Sequence, residues 1–268
     1  MKKTIGFIGG GNMGRAMMAG LLKSGQYQPT EVYVFDPSVK VRKHLEDTLG
    51  VQPTTTVEDL VDNAGIIVLA VKPQVLNQVL AKINGRVNEQ QLVISIAAGV
   101  TLAQLAAGLT GRLKLIRVMP NTPALVGAGM AAIATNENVD EQEKQLAVTL
   151  FSSFGLAKVV PEHLIDAVVG VSGSGPAYVY LFIEALADSA VLEGMPRKDA
   201  YEFAAQTVLG SAKMVLETRE HPGNLKDMVC SPAGTTITGV RVLETGGFRG
   251  LVMDTVHAVA EKNRQMAE

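Results

Sequence analysis

The chain has 268 residues, 47% of them hydrophobic and 19% charged, with a formal net charge of -2. That balance describes a globular chain able to bury a sizeable core, and it gives no electrostatic case for nucleic acid or an anionic membrane surface as a partner. One cysteine, Cys230, excludes an internal disulfide and fits a reducing compartment, and the length favours two domains over one.

The Met1-Lys2-Lys3 start resembles the basic end of a signal peptide, but Gly6 and then Gly9 to Asn12 interrupt the apolar stretch behind it, which reads instead as a first strand. That strand, Thr4–Ile8, runs into Gly9-Gly10-Gly11-Asn12-Met13-Gly14, and a helix-like stretch from Arg15 to Ser24 follows. In the spacing G-x-G-x-x-G each glycine has a duty: Gly9 makes the tight turn, Gly11 lets backbone approach a pyrophosphate, and Gly14 lets the helix pack close to the strand. The pyrophosphate is expected at the helix N-terminus, around Asn12 and Met13, where amides without partners and the positive end of the dipole point at it. A second strand, Glu31 to Phe35, ends at Asp36, where a ribose-binding carboxylate is expected. Glycine turns also serve geometry alone; the strand before, the helix after and Asp36 favour a dinucleotide site.

Further strands are expected at Ile66–Ala70, Leu92–Ile96, Leu115–Val118, Met130–Ala134 and Ala157–Val160. Helices are expected between them at 39–49, 57–62, 74–83, 102–109 and 141–154, an alternation that predicts a parallel sheet with crossover helices. The run Ile66 to Val71 is apolar on both faces, as a central strand covered on both sides requires. The fold class predicted is α/β, a doubly wound Rossmann-like domain followed by an all-helical C-terminal domain.

After Pro161 strand signals stop, and Gly and Pro punctuate helices at 175–193, 197–218, 223–229, 235–245 and 248–266. The boundary is placed near Val160, giving a dinucleotide-binding domain over 1–160 and a substrate-binding and dimerisation domain over 161–268. Tyr178, Leu181, Phe182, Ala185, Ser189 and Leu192 recur at helical spacing. About a hundred helical residues have few ways to bury several such faces alone, so a second subunit is expected to cover them. No stretch approaches the uninterrupted apolar length that a bilayer span needs.

Three later segments read as ligand sites. Val71-Lys72-Pro73 ends the apolar strand and should line the cofactor crevice, as should Ile96-Ala97-Ala98-Gly99 and Met119-Pro120-Asn121-Thr122-Pro123. A plain strand-to-helix turn with a solvated lysine is the alternative for Lys72. Gly170 to Pro176, which includes Ser172 and Ser174, is dense in small residues that let a ring or backbone approach. Ser231-Pro232-Ala233-Gly234-Thr235-Thr236 opens a helix and suits a carboxylate, unless Ser231 or Thr235 merely caps that helix. His44, His163, His221 and His257 lack metal-ligand spacing, so no metal is expected.

The set Gly-Phe-Ile-Gly-Gly-Gly-Asn-Met-Gly at 6–14, Ala-Val-Lys-Pro at 70–73, Ser-Ile-Ala-Ala-Gly-Val at 95–100, Met-Pro-Asn-Thr-Pro at 119–123, Val-Ser-Gly-Ser-Gly-Pro-Ala-Tyr at 171–178 and His-Pro-Gly…Leu-Lys-Asp-Met-Val-Cys-Ser-Pro from 221 to 232 resembles the pyrroline-5-carboxylate reductases, in order and across the whole chain. The resemblance implies NAD(P)H-dependent reduction of 1-pyrroline-5-carboxylate to L-proline, the last step of proline synthesis, in the cytoplasm. It also implies an interlocked homodimer through the helical domain, often five dimers in a decamer, with no nucleic acid or membrane partner. By the same resemblance the cofactor residues are Gly9, Gly11, Asn12, Met13, Gly14, Asp36, Ser38, Val71, Lys72, Pro73 and Ala98. The substrate carboxylate goes to the backbone of Gly234, Thr235 and Thr236, with the catalytic Thr236 hydroxyl on the ring nitrogen and Ser231, Ser172 and Ser174 as the wall.

Two residues depart from that pattern. Ala233 stands where the family commonly has glycine, so the loop is expected not to need a positive φ there. Asp36 accepts the ribose 2′-OH of NAD and repels a 2′-phosphate, whereas the family favours NADPH; Ser38, Lys40 and Arg42 lie just beyond and offer phosphate contacts, so NADP(H) is expected with NAD(H) open. A β-hydroxyacid dehydrogenase shares the two-domain plan but needs a lysine four residues after the glycine triplet, where this chain has Val179. A non-catalytic NAD(P)-sensing protein is the remaining alternative, against which the helix start at Thr235 argues.

Overall fold

The structure is a computed structural model that describes Lys3 to Ala267, so the Met1-Lys2 start lies outside the described residues. The chain divides into two compact units: residues to Ser174 together with those from Val259, and Gly175–Ala258.

In the first unit the strands are β1 (Ile5–Ile8), β2 (Val32–Phe35), β3 (Gln52–Pro53), β4 (Ile66–Leu69), β5 (Leu92–Ser95), β6 (Lys114–Met119), β7 (Gly129–Thr135) and β8 (Gly155–Val159). Its crossover helices are α1 (Asn12–Lys23), α2 (Val39–Leu49), α3 (Val57–Asn63), α4 (Pro73–Ile83), α5 (Leu102–Ala107) and α6 (Glu141–Ser152). The strands form one sheet in the order β3-β2-β1-β4-β5-β6-β7-β8. Successive residues of each central strand enter opposite core layers. Ile66 and Val68 of β4, with Leu92 and Ile94 of β5, pack on one face; Ile67, Leu69 and Val93 pack on the other. Burial on both faces is why these strands read as unbroken apolar runs rather than as alternation.

The sheet is mixed rather than wholly parallel, because β7 runs antiparallel to β6. The connection from Met119 to Gly129 holds only a short helical turn, Thr122–Val126, too little chain for a crossover, so the strand must come straight back. Helix α6 restores the crossover, and β8 pairs parallel to β7. The order reverses direction between β1 and β4, and the loops leaving those two strands part there to open the crevice of the unit.

Residues beyond Val160 continue to serve the sheet. Helix α7 (Ile165–Val168) and a π-turn over Val169–Gly173 place Ile165 and Val169 in the second core layer. Buried Arg117 of β6 pairs with Glu162 at 3.0 Å, and Glu162 also accepts the Leu102 amide at 2.8 Å, tying the start of α5 to this segment. These contacts carry the first unit to Ser174 rather than to Val160.

Helices α8 (Gly175–Leu192), α9 (Arg197–Thr218), α10 (Pro222–Val229), α11 (Thr235–Thr245) and α12 (Phe248–Ala267) follow, the last ending within the first unit. The buried core of the second unit is small, Ala187 of α8 against Ala200 and Ala204 of α9. Its outward faces are apolar: Leu181 is 66% exposed, Phe203 65%, Leu251 63% and Met253 70%. The helical run Glu162–Leu192 is long and apolar enough by length and composition to cross a bilayer, which the linear sequence does not reveal because Gly and Pro interrupt it. The same apolar exposure extends over α9, α11 and α12, making a surface to which several helices contribute.

Large apolar side chains exposed together on several helices mark an interaction surface. The chain is therefore expected to run as a homodimer in light scattering at assay concentration, and a folded, active monomer there would refute this reading.

Candidate active site

At the end of β1 the chain turns at Gly9 with φ +112°, a conformation that favours glycine. A Cβ at Gly9 would also come within 2.4 Å of the Ala70 carbonyl oxygen at the end of β4. Its amide donates to the Phe35 carbonyl at 2.7 Å, so one residue joins the ends of β1, β2 and β4. Gly14, in the first turn of α1, has no room either, since its Cβ would lie 2.5 Å from the Gly9 carbonyl oxygen. The close packing at Gly14 is thus against the turn that ends β1 and, at 3.5 Å, the Ala70 side chain at the end of β4.

Gly11 differs. It precedes α1 in extended backbone, φ -67° and ψ -175°, and a Cβ there would meet nothing within 4 Å. No side chain caps α1. The chain's own packing leaves a space beside the first amides of the helix, at Asn12 and Met13, with the dipole's positive end behind them; a diphosphate fits that donor set.

Asp36 is held where β2 ends. Its Oδ2 accepts the Gly10 amide at 3.0 Å and its Oδ1 accepts the Ser38 amide at 2.9 Å. The carboxylate therefore clips the turn after β2 to the glycine loop. Ser38 Oγ accepts from the Val41 amide at 3.4 Å and caps α2. Arg42 donates from a terminal nitrogen to the Asp36 carbonyl at 2.5 Å, and its guanidinium carbon lies 5.9 Å from the Phe35 ring centroid. A cation is thereby fixed at the same corner as the carboxylate. Val71 touches the Gly9 position, its Cγ1 3.3 Å from a Cβ there. Lys72 is exposed just before α4, which begins at Pro73, a residue with no amide to orphan. Ala98 is exposed beside Gly99, which has φ +74°.

The small-residue turn is built around a missing donor. Pro176 has no N–H for the carbonyl four residues back, at Ser172, and the Asn121 side-chain amide takes that place at 3.0 Å. Asn121 Oδ1 in turn accepts the Met130 amide at 2.8 Å. Ser172 Oγ donates to the Val168 carbonyl at 3.2 Å, and the Ser174 amide closes the π-turn on Val169 at 2.8 Å. The sequence places Asn121 in a loop expected to line the cofactor crevice; the signal for its bond to Ser172 is Pro176.

In the second unit the Gly234 amide donates to the Ser231 carbonyl at 3.0 Å, closing the turn Ser231–Gly234. Gly234 then precedes α11 with no side-chain cap, so Ser231 and Thr235 do not cap this helix. The Gly234 amide is spent on the turn, which leaves those of Thr235 and Thr236 as the first donors of the helix. A Cβ on Gly234 would lie 2.2 Å from Ser231 Oγ, so that hydroxyl is folded beneath the turn. Ala233 has φ +57°, contrary to the expectation that no positive φ is needed here. With Pro232 second and the Gly234 amide closing on the Ser231 carbonyl, that φ makes this a type II turn.

The first unit thus gathers Gly9, Gly11, Asn12, Met13, Gly14, Asp36, Ser38, Val71, Lys72, Pro73 and Ala98 on the carboxyl ends of β1, β2, β4 and β5, and holds Ser172 and Ser174 on the π-turn. Ser231, Gly234, Thr235 and Thr236 form one loop of the second unit.

Residues 162–266 match the family model described as pyrroline-5-carboxylate reductase dimerisation, and residues 4–99 match that of a coenzyme F420-dependent NADP oxidoreductase. Among curated relatives, the pyrroline-5-carboxylate reductase of Escherichia coli (strain K12) is 52% identical over 268 residues, all of both chains. A solved pyrroline-5-carboxylate reductase from Coxiella burnetii superposes with a TM-score of 0.94 at 36% identity, covering 99% of this chain and 98% of its own. The Plasmodium falciparum pyrroline carboxylate reductase with NADP bound gives 0.89 at 34%, with the same coverage.

Open space at Gly11 predicts a clean separation of folding from binding. Gly11→Val should keep the melting temperature, since extended backbone suits valine, yet weaken dinucleotide binding more than about tenfold, or about 1.4 kcal/mol. Fluorescence titration that found unchanged affinity would show that the diphosphate does not lie there.

Proposed function

The chain belongs to the pyrroline-5-carboxylate reductase family, and from that premise we propose how its residues divide the work of the reaction. It reduces 1-pyrroline-5-carboxylate to L-proline, with NADP(H) as cofactor, in the biosynthesis of proline. The substrate is a small molecule and the chain oligomerises through its helical region. We further propose the decamer of five dimers, a cytoplasmic location where NADPH is kept reduced, and a functional division at Val160 into cofactor-binding residues 1–160 and substrate-binding and dimerisation residues 161–268.

The open face of Gly11, flanked by Gly9 and Gly14 where no side chain fits, is the observation that carries the cofactor assignment. Asn12 and Met13 give their amides to the diphosphate. Val71, Lys72, Pro73 and Ala98 line the crevice beyond it, and Ser38 and Asp36 border the adenosine ribose. When bound, the dihydronicotinamide supplies the hydride that the imine carbon accepts. The amides of Thr235 and Thr236 take the substrate carboxylate at the uncapped start of α11, carried on the turn that Gly234 closes on Ser231. The Thr236 hydroxyl donates to the ring nitrogen, and Ser231, Ser172 and Ser174 form the wall. A protonated cyclic imine is already electrophilic, so these residues mainly orient it and exclude water. The test of the whole reading is consumption of NADPH with stoichiometric proline when purified protein meets pyrroline-5-carboxylate; binding of NADPH without turnover would leave a sensing protein instead.

Asp36 faces the place a 2′-phosphate would approach, while Arg42 stands beside it. Removing the carboxylate relieves a repulsion on the order of 1 kcal/mol or more. Asp36→Ser should therefore raise the ratio of kcat/KM for NADPH to that for NADH, and an unmoved ratio would show that the two amide bonds have taken the charge out of reach.

Thr236→Ala keeps the amide and deletes only the hydroxyl. The kcat should fall about ten- to a hundredfold, roughly 1.4 to 2.7 kcal/mol of transition-state stabilisation, with NADPH affinity unchanged. A rise confined to the KM for pyrroline-5-carboxylate would assign the hydroxyl to uniform binding.

A further inference from the structure

Among the described residues only Arg219 and Ala233 combine a side chain with positive φ. Arg219 ends α9 in the left-handed conformation that commonly closes a helix, its amide bonded to the Val215 carbonyl. Ala233 has no such excuse, and it has no polar side chain to offset the crowding between its Cβ and the backbone. It sits third in the turn Ser231-Pro232-Ala233-Gly234, closed by the 3.0 Å bond from the Gly234 amide to the Ser231 carbonyl. Proline second and positive φ third are the signs of a type II turn, whose third position calls for glycine or asparagine. The alternative, a type I turn, has the same ends and the same closing bond but turns the Pro232–Ala233 peptide over and gives the third residue negative φ, which alanine adopts freely. The turn is nonetheless type II, with Ser231 Oγ folded under Gly234.

We propose that Ala233 is a positioning residue for the known reaction: its strain makes the Pro232–Ala233 peptide a two-state element, and carboxylate capture by the Thr235 and Thr236 amides selects the type II state. The idea rests on the proposed role of the α11 start. Left-handed alanine is disfavoured by an amount that lets the flipped state compete, and the apparent affinity for a ligand of the type II state falls by the fraction that is flipped. Substrate affinity should then follow the tolerance of residue 233 for positive φ, while residues that touch the cofactor are unaffected.

The experiment is steady-state kinetics with pyrroline-5-carboxylate and NADPH on the full-length protein and on Ala233→Gly, Ala233→Asn and Ala233→Val, with thermal melts of each. The expected KM for pyrroline-5-carboxylate is up to a few-fold below wild type for glycine and asparagine, and roughly tenfold above it for valine, which is a genuine outlier at positive φ. The kcat and the KM for NADPH should stay within about twofold, and Ala233→Gly should melt a few degrees higher. If Ala233→Val fails to fold, the glycine and asparagine variants decide alone. Equal KM values for wild type, glycine and asparagine would overturn the proposal even with Ala233→Gly melting higher, because the strain would then be purely structural. A wild-type protein that does not turn over pyrroline-5-carboxylate would instead bring down the reading on which it rests.

Discussion

Everything on the cofactor side depends on how closely the turn after β1 approaches the end of β4. The Gly9 position lies so near the Ala70 carbonyl that even a methyl group is excluded, and Gly14 repeats the exclusion from the helix side. Strand, turn and helix are thereby stacked with no side chain between them. That closeness brings the N-terminus of α1 to the point where the strand order reverses, the one place in such a sheet where a crevice opens without a loop having to carve it. Asp36 then fastens the neighbouring turn to the same glycine loop through Gly10, so the crevice floor is cross-braced by a charged hydrogen bond.

Most of the first unit was legible because its code is local. Burial on both faces makes β4 and β5 unbroken apolar runs, and their bounds came out within a residue of expectation. The bounds of α2, α9 and α11 were read as they stand, since each is flanked by residues that start or stop a helix. What local patterns do not carry comes from elsewhere in the chain. The antiparallel course of β7 is set by the length of a connection and not by the composition of the strand. The extension of the first unit to Ser174 comes from Glu162, Ile165 and Val169 finding partners on the sheet. At Ala233 the residue type favours negative φ, and which of the two turn types sharing the Gly234–Ser231 bond is formed is not written in that residue.

The second unit shows the opposite economy. Its interior is three alanines, so α8 and α9 approach closely, yet the large side chains Leu181, Phe203 and Leu251 point outward. A unit arranged this way keeps little hydrophobic stabilisation for itself and invests its apolar surface in association, the behaviour the dimerisation family model describes. Folding and oligomerisation are then parts of one equilibrium.

Helix starts differ in what satisfies their first amides. Ser38, Thr56, Thr101 and Asp140 each cap the helix they precede through a side chain, and those helices serve the sheet. Gly11, Lys72 and Gly234, before α1, α4 and α11, provide no side-chain cap. The helix after Pro196 is uncapped as well, so a missing cap alone marks nothing. Of the first three, two stand at the carboxyl ends of β1 and β4 and the third on the closed turn Ser231–Gly234. A side-chain cap contributes about 1 kcal/mol to the helix it serves. Leaving it out at a fixed helix start forgoes that stability and keeps the amides available to an anionic ligand, so the same backbone groups that a cap would have satisfied stay open to such a ligand.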